Sequence, residues 1–453
     1  MSAAAVSLPA GEREVLAALR AEAHPLTGGE HDYDALVDLI GGARIVLLGE
    51  ASHGTHEFYA ERARITRRLI DELGFTVVAV EGDWPDAGRV NRYVRGLGED
   101  RDAEEALRGF ARFPAWMWRN AEVLDFVGWL RAHNDGRRGP AKAGFYGLDL
   151  YSLGASMRAV IDYLDERDPA AATRARERYE CLQTHGGEGT GYGQAVLLGV
   201  DEPCRRHVLA ELVELRRRAG EYLGSDGPVA EDEYFFAEQN AAIVATAEEY
   251  YRTMFGDQTG SWNQRDRHMA DTLDHLLAHL DRHGGRARAI VWAHNSHVGD
   301  ARATEMGARG ELNIGRLLRE RHGRDVVSVG FTTDHGTVTA AREWGGPAER
   351  RRVRHAPAGS YEALLHATGL GAFLLCPLAG GRSGRGLKGP RLERAIGVVY
   401  RPETERRSHW FGADLTEQYD ALVHVDGTRA VEPLEREPVW DAEEPPETYP
   451  SAL

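Results

Sequence analysis

Three apolar runs in this chain each end on side chains that can take or give a proton. Arg44-Ile45-Val46-Leu47-Leu48 leads into Gly49-Glu50-Ala51-Ser52-His53-Gly54, and Val77-Val78-Ala79-Val80 leads into Glu81. Far downstream, Ala289-Ile290-Val291-Trp292-Ala293 leads into His294-Asn295-Ser296-His297. A neutral imidazole is the side chain best matched to proton abstraction near neutral pH, so His53 is a candidate general base for water. Glu50, three residues earlier, can orient that ring or share its proton. The bland alternative is a tight turn whose Glu and His cap the next helix. Glu81 is either a second working carboxylate or a salt-bridge partner. His294 and His297 follow a strand end three residues apart, so both can face one pocket. Arg62 and Arg64 lie on the helix after His53, where a guanidinium can reach back and meet developing negative charge. Surface pairing is the other reading of both arginines.

Other chemistries fit less well. Three histidines with several carboxylates could hold zinc, and His56 and Glu57 add donors. The HxxH at 294–297 nevertheless follows a strand and lacks the helical HExxH arrangement, so no metal ligand is assigned. Ser52 sits outside any GxSxG elbow. No GxGxxG or GxxxxGK[ST] follows a strand, which disfavours nucleotide cofactors.

The elements needed to position these groups are legible as period and punctuation. Asp32–Ile40 reads as a short helix and Ile45–Leu48 as a buried strand. Residues 56–73 repeat apolar positions at helical spacing and stop at Gly74. Val77–Val80 completes a βαβ unit with Glu50 and Glu81 on one sheet edge, where parallel sheets present chemistry. Residues 87–132 are helical with a break near Phe113-Pro114, and Phe145–Leu148 is a strand ending at Asp149. Residues 155–255 read as charged helices, broken at the Gly-rich stretches 186–193 and 224–227 and suggesting a helical layer or cap. A helix is expected from Asp266, then strands at Ala289–Ala293, Val326–Phe331, Ala372–Leu375, Arg394–Val399 and Ala421–Val425. The expected fold is α/β: a central, mostly parallel or mixed sheet flanked by helices, with a large helical insertion. The expected division is 1–150 and 261–435 for the core, 151–260 for the insertion, and 436–453 for an acidic, proline-rich tail.

Bulk composition narrows the function. The chain has 453 residues, 42% of them hydrophobic, and a formal charge of −16 from 55 basic and 71 acidic residues. It is long enough for a large core, and its charge opposes nucleic acid and anionic membranes. The three cysteines, Cys181, Cys204 and Cys376, are an odd, sparse set and poor material for a disulfide scaffold. Neither a secretory leader nor a run approaching roughly 20 apolar residues is apparent, so a cytoplasmic protein is expected.

Several stretches in order carry a resemblance. They are Leu48–Gly54, Glu81 with Trp84, Trp116-Met117-Trp118, Gly147-Leu148-Asp149, Arg265–Met269, Trp292–Asp300, Ile396–Tyr400 and Glu403-Thr404-Glu405. Together they resemble the erythromycin esterase family over nearly the whole chain. The resemblance implies metal-independent hydrolysis of a lactone or other carboxylic ester, without cofactor, and a possible macrolide substrate linked to antibiotic resistance. His53 would be the base, Glu50 and Glu81 its supports, and Arg62 rather than Arg64 the guanidinium that steadies the carboxyl chemistry. His294 and His297 would line the pocket and protonate the leaving alkoxide. Trp84, Trp116 and Trp118 would form an apolar wall, with Asp149 and Asn295 as further substrate contacts. The competing expectations are a metal-dependent hydrolase or transferase, and a silent small-molecule-binding protein. Oligomeric state is left open.

Overall fold

Short apolar runs bounded by Gly and polar residues become fully buried strands, because each can pair on both edges and pack on both faces. The computed structural model describes residues 10–183, 189–200, 203–223 and 228–435. In chain order its strands are β1 (His24–Pro25), β2 (Ile45–Leu48), β3 (Val77–Asp83), β4 (Gly144–Asp149), β5 (Ala289–Trp292) and β6 (Val326–Thr332). There follow β7 (His335–Ala340), β8 (Glu349–Val353), β9 (Ala372–Leu375), β10 (Arg391–Arg394), β11 (Trp410–Ala413), β12 (Ala421–Val425) and β13 (Gly427–Thr428).

Eight of these strands form one sheet in the order β1-β9-β12-β6-β2-β5-β3-β4. From β12 to β4 every pairing is parallel. Only β9 and β1 join antiparallel at one edge, so the sheet is mixed there, as expected. Parallel order puts the carboxyl ends of β2, β3, β4 and β5 side by side. The residues that follow them therefore meet at one edge of the sheet, however distant they are in the chain.

The core lies on both sheet faces. One layer includes Val46, Leu48, Val78 and Val80 with the helices His56–Leu73 and Ala121–Asp135. The other includes Ile45, Leu47, Val77 and Ala79 with the helix Gln258–Gly284. Alternate residues of β2 and β3 thus face opposite layers, the period-two logic of a strand buried on both sides. The helix His56–Leu73 closes at Gly74, which adopts φ 68°.

A third apolar cluster, built from helices between Leu153 and Thr253, packs largely on itself beside the sheet. Within it Cys181 and Cys204 are disulfide-bonded, leaving Cys376 unpaired. This corrects the sequence expectation: 23 residues separate the two cysteines, and only the antiparallel return of the helices brings them together.

Three element boundaries also differ from expectation. The helix anticipated from Asp266 begins at Gln258, where Asp257 caps it by accepting from the Gly260 amide. The strand expected at Arg394–Val399 lies earlier, as β10, and overlaps it only at Arg394; the rest of the segment makes single bridges, Ser52 to Ile396 and Ala341 to Val399. The β7–β8 hairpin carries Glu349-Arg350-Arg351-Arg352, whose charges hide a strand from any apolar pattern. The expected break at 224–227, residues 186–188 of the one expected at 186–193, and the tail at 436–453 lie outside the described residues, whereas Gly189–Gly193 do not break the chain but open the helix Gly189–Leu197. Among the described residues no helix is long and apolar enough to cross a membrane.

Candidate active site

The loop after β2 is fixed from three sides before its side chains are considered. Asn295 donates its amide to the Glu50 carbonyl at 2.8 Å, and His53 donates its amide to the Ile396 carbonyl at 3.1 Å. Ile396 in turn donates to the Ala51 carbonyl at 2.8 Å. At the start of the loop, a Cβ on Gly49 would stand 2.1 Å from Asn295 Oδ1. Only glycine lets β2 run this close to the segment that follows β5.

On this frame Glu50 and His53 form a local pair. His53 Nδ1 lies 2.8 Å from Glu50 Oε1, and both residues are buried. Arg62, one turn and a half into the following helix, donates Nη2 to Glu50 Oε2 at 3.0 Å. Its guanidinium is wholly buried between Tyr59 and Trp292, at 4.4 and 5.1 Å from their ring centroids. Arg62 thus stands behind the carboxylate and is not among the cavity-lining residues. Arg64 turns away, toward Glu61, Asp32 and the Gly29 carbonyl.

The residues after β3, β4 and β5 form a second, denser network. Glu81 Oε2 accepts the His294 amide at 2.8 Å, while Oε1 accepts Arg265 Nη2 at 2.8 Å and lies 3.2 Å from His297 Nε2. Arg265 also forks onto Asp149, with Nε to Oδ1 at 3.0 Å and Nη2 to Oδ2 at 2.6 Å. His297 Nδ1 lies 2.9 Å from Asp266 Oδ1, and its ring stacks on Trp262 at 4.5 Å.

These contacts divide the two histidines of the 294–297 segment. Burial works against charge on His297, yet the Asp266 and Glu81 carboxylates push it up to about 10, so it is an imidazolium at neutral pH. Burial works against charge on Glu81 too, but His297 and Arg265 hold it well below the usual carboxylate range. Burial, reinforced by His53 nearby, holds His294 well below its ordinary value and therefore neutral. His294 Nδ1 accepts the Ser296 amide at 3.2 Å, which leaves the ring proton on Nε2. That Nε2 is buried. The His53 and His294 rings lie 4.8 Å apart.

Both groups open onto one cavity of about 330 Å³. His53, Glu81, Arg265, His294, Ser296 and His297 form its floor, and Trp262 is its aromatic wall. The lining is completed by Gly397 and Val399, from the stretch expected to be a strand, and by Arg401, Thr404, Ser408 and His409 beyond it.

The remaining candidates lie elsewhere. Trp84 is packed against Phe235 and Phe236, and Trp116 backs the Gly54 turn; both are buried outside the cavity lining. Trp118 and Asp149 line a smaller neighbouring cavity of about 30 Å³ that shares Glu81 and Arg265 with the first. Asn295 is fully buried and ties the Phe331 carbonyl and Glu393 to the sheet edge. Sequence reasoning passed over Trp262, Arg265 and Asp266 as functional residues. Their spacing of three and four along one amphipathic helix, beside conspicuous charge, is the signal that could have found them.

Fold and cavity together define an α/β protein with a histidine–carboxylate site at the carboxyl edge of a parallel sheet. The erythromycin esterase family model matches residues 70–428, and the chain belongs to that family. It is 26% identical to an erythromycin esterase type II from Escherichia coli over 325 residues, covering 68% of this chain and 73% of that protein. It is 21% identical to the putative hydrolase YbfO of Bacillus subtilis (strain 168) over 353 residues, covering 74% of each. Among solved structures, a Bacillus cereus protein superposes with a TM-score of 0.77 at 21% identity, covering 94% of this chain and 100% of that one. A mutant of the erythromycin esterase EreC in its open conformation superposes with a TM-score of 0.64 at 18% identity, covering 88% and 94%.

Proposed function

We propose that the protein is a hydrolase that opens a carboxylic ester or lactone with water activated by His53, without a metal in the reaction. The observation that carries this reading is the 2.8 Å contact between His53 Nδ1 and Glu50 Oε1 at the floor of the cavity. A carboxylate only accepts, so Nδ1 keeps its proton and Nε2 becomes the basic nitrogen. Arg62, behind Glu50, donates to that carboxylate and holds it aimed at His53, and so acts as a positioning residue.

In this mechanism His53 Nε2 takes a proton from water as the oxygen attacks the acyl carbon. The carbonyl oxygen gains the negative charge, in the field of Arg265 and the His297 imidazolium. The acyl–oxygen bond then breaks, and His53 returns its proton to the departing alkoxide. His297 is a poor source for that proton because two carboxylates hold it. Membership of the erythromycin esterase family supports hydrolysis as the reaction class. A macrolactone substrate would parallel the erythromycin esterases to which the chain is similar, and it would have to fit beside the 397–404 segment.

The test is a mass-spectrometric screen of lactones and simple esters, looking for products heavier by one water. Wild type should convert at least one of them in the presence of a chelator, and His53→Ala should not. Turnover abolished by chelation and restored by metal would favour a metal-dependent hydrolase instead.

A further inference from the structure

The same edge of the sheet carries a second cluster, above β6 and β12, which lines none of the cavity described above. Asp334 and His335 occupy the β6–β7 turn, Asp426 the β12–β13 turn, and His366 the end of the helix Tyr361–His366. One donor atom from each of these four residues lies within 4.8 Å of every other. His355, from the segment after β8, adds a fifth donor beside them.

The geometry converges on one oxygen. Asp334 is 1% exposed, and its Oδ1 accepts the Ala356 amide at 3.1 Å. Its Oδ2 faces His355 Nδ1 at 2.5 Å, His335 Nδ1 at 3.1 Å and His366 Nδ1 at 3.7 Å. Two of these imidazoles are within hydrogen-bond reach of Oδ2, and the third stands just beyond it. His366 Nδ1 also lies 2.7 Å from Asp426 Oδ1, which His424 Nε2 approaches to 3.4 Å. The rings of His335 and His355 are 4.3 Å apart. Three imidazoles and two carboxylates thus face one small space, a donor set that suits a cation able to accept imidazole lone pairs.

We propose that Asp334, His335, His366 and Asp426 bind a divalent transition-metal ion of the zinc type, with His355 as an accessory donor. Mixed imidazole and carboxylate donors suit zinc, whereas magnesium and calcium favour oxygen alone. Zinc ligands about 2.1 Å from a tetrahedral centre lie about 3.4 Å apart, so the four donors need to close modestly. The His366 side chain is 45% exposed and the His335 side chain 37%, which leaves both rings room to turn. The ion would staple two strand turns to a helix end and stabilise this half of the sheet without entering the reaction.

Isothermal titration of zinc chloride into the chelator-stripped full-length protein tests the proposal, with thermal unfolding followed in parallel. Wild type should bind one equivalent and unfold at a higher temperature when loaded. The double variant His335→Ala/His366→Ala should lose about a hundredfold in affinity, and the thermal gain with it. Both residues are partly solvent-facing, so the variant should fold, and its metal-free melting curve reports that directly. His53→Ala should bind zinc as wild type does, which separates this cluster from the cavity. The proposal is overturned if wild type binds no stoichiometric zinc, if the double variant binds as tightly as wild type, or if His53→Ala abolishes binding.

Discussion

Glu50, His53 and Arg62 form a chain of dependence in which each side chain is useful because of the next. Arg62 is wholly buried and Glu50 nearly so, hence neither charge has water to fall back on. Removing the cation alone leaves a buried carboxylate uncompensated, which typically costs about 3–5 kcal/mol. Arg62→Met should therefore destabilise the protein by about that amount in urea unfolding and lower kcat as well. Adding Glu50→Gln should recover most of the stability and none of the activity; recovery of both would remove Arg62 from its positioning role. His297 offers a second test through pH. The folded chain holds its proton up to about pH 10, whereas an ordinary histidine releases it near 6.5. The resulting stabilisation is complete below about pH 6.5 and is lost as pH rises through about 10. The stability difference between wild type and His297→Gln should accordingly shrink across that interval; a constant difference would contradict the assignment. The Glu50–His53 pair was legible in sequence because only three residues separate its members. The partners of Glu81 were not, since Arg265 lies 184 residues away and nothing local to either residue specifies the other.

At the scale of elements, the strands were the legible part and the connections were not. The buried strand Ile45–Leu48 is an unbroken apolar run and Ala421–Val425 one interrupted only by His424, and the bounds of both coincide with expectation. The β7–β8 hairpin is paired through its backbone while its side chains are charged, so no hydrophobic period betrays it. The Arg394–Val399 stretch shows the converse: its β-branched residues suit a strand, yet beyond Arg394, the end of β10, it makes only single bridges. Trp84 and Trp116 lie outside the cavity lining for a related reason. Aromatic content locates apolar packing, and Trp84 and Trp116 spend theirs in the core, whereas Trp262 reaches the cavity from a helix. The junction between β2 and the segment after β5 depends on a missing side chain. Gly49→Ala drives a Cβ toward Asn295 Oδ1 and within 3.2 Å of the Val329 carbonyl. Overpacking of this kind costs about 1–3 kcal/mol. A loss of that size in urea unfolding, with weaker turnover, is the expected outcome. Unchanged stability would show that the loop has slack.

For the molecule as a whole, parallel order turns distance in the chain into adjacency in space. Four strand ends from two distant regions of sequence deliver Glu50, Glu81, Asp149 and His294 to one edge. The 397–404 segment then closes over them. At about 330 Å³ the cavity lies at the small end of ligand sites. Over a series of lactones of increasing ring size, kcat/KM should decline once the ring outgrows this space. A steady rise toward macrocycles would instead require the wall to move. The central claim remains that His53 makes the nucleophile, and the most direct measurement is kcat/KM of His53→Ala on an ester that wild type hydrolyses, with and without added imidazole. Loss of a general base predicts a fall of about 10²–10⁴, partly restored by imidazole, in a protein that unfolds like wild type. A folded His53→Ala that keeps near-native turnover would contradict the account.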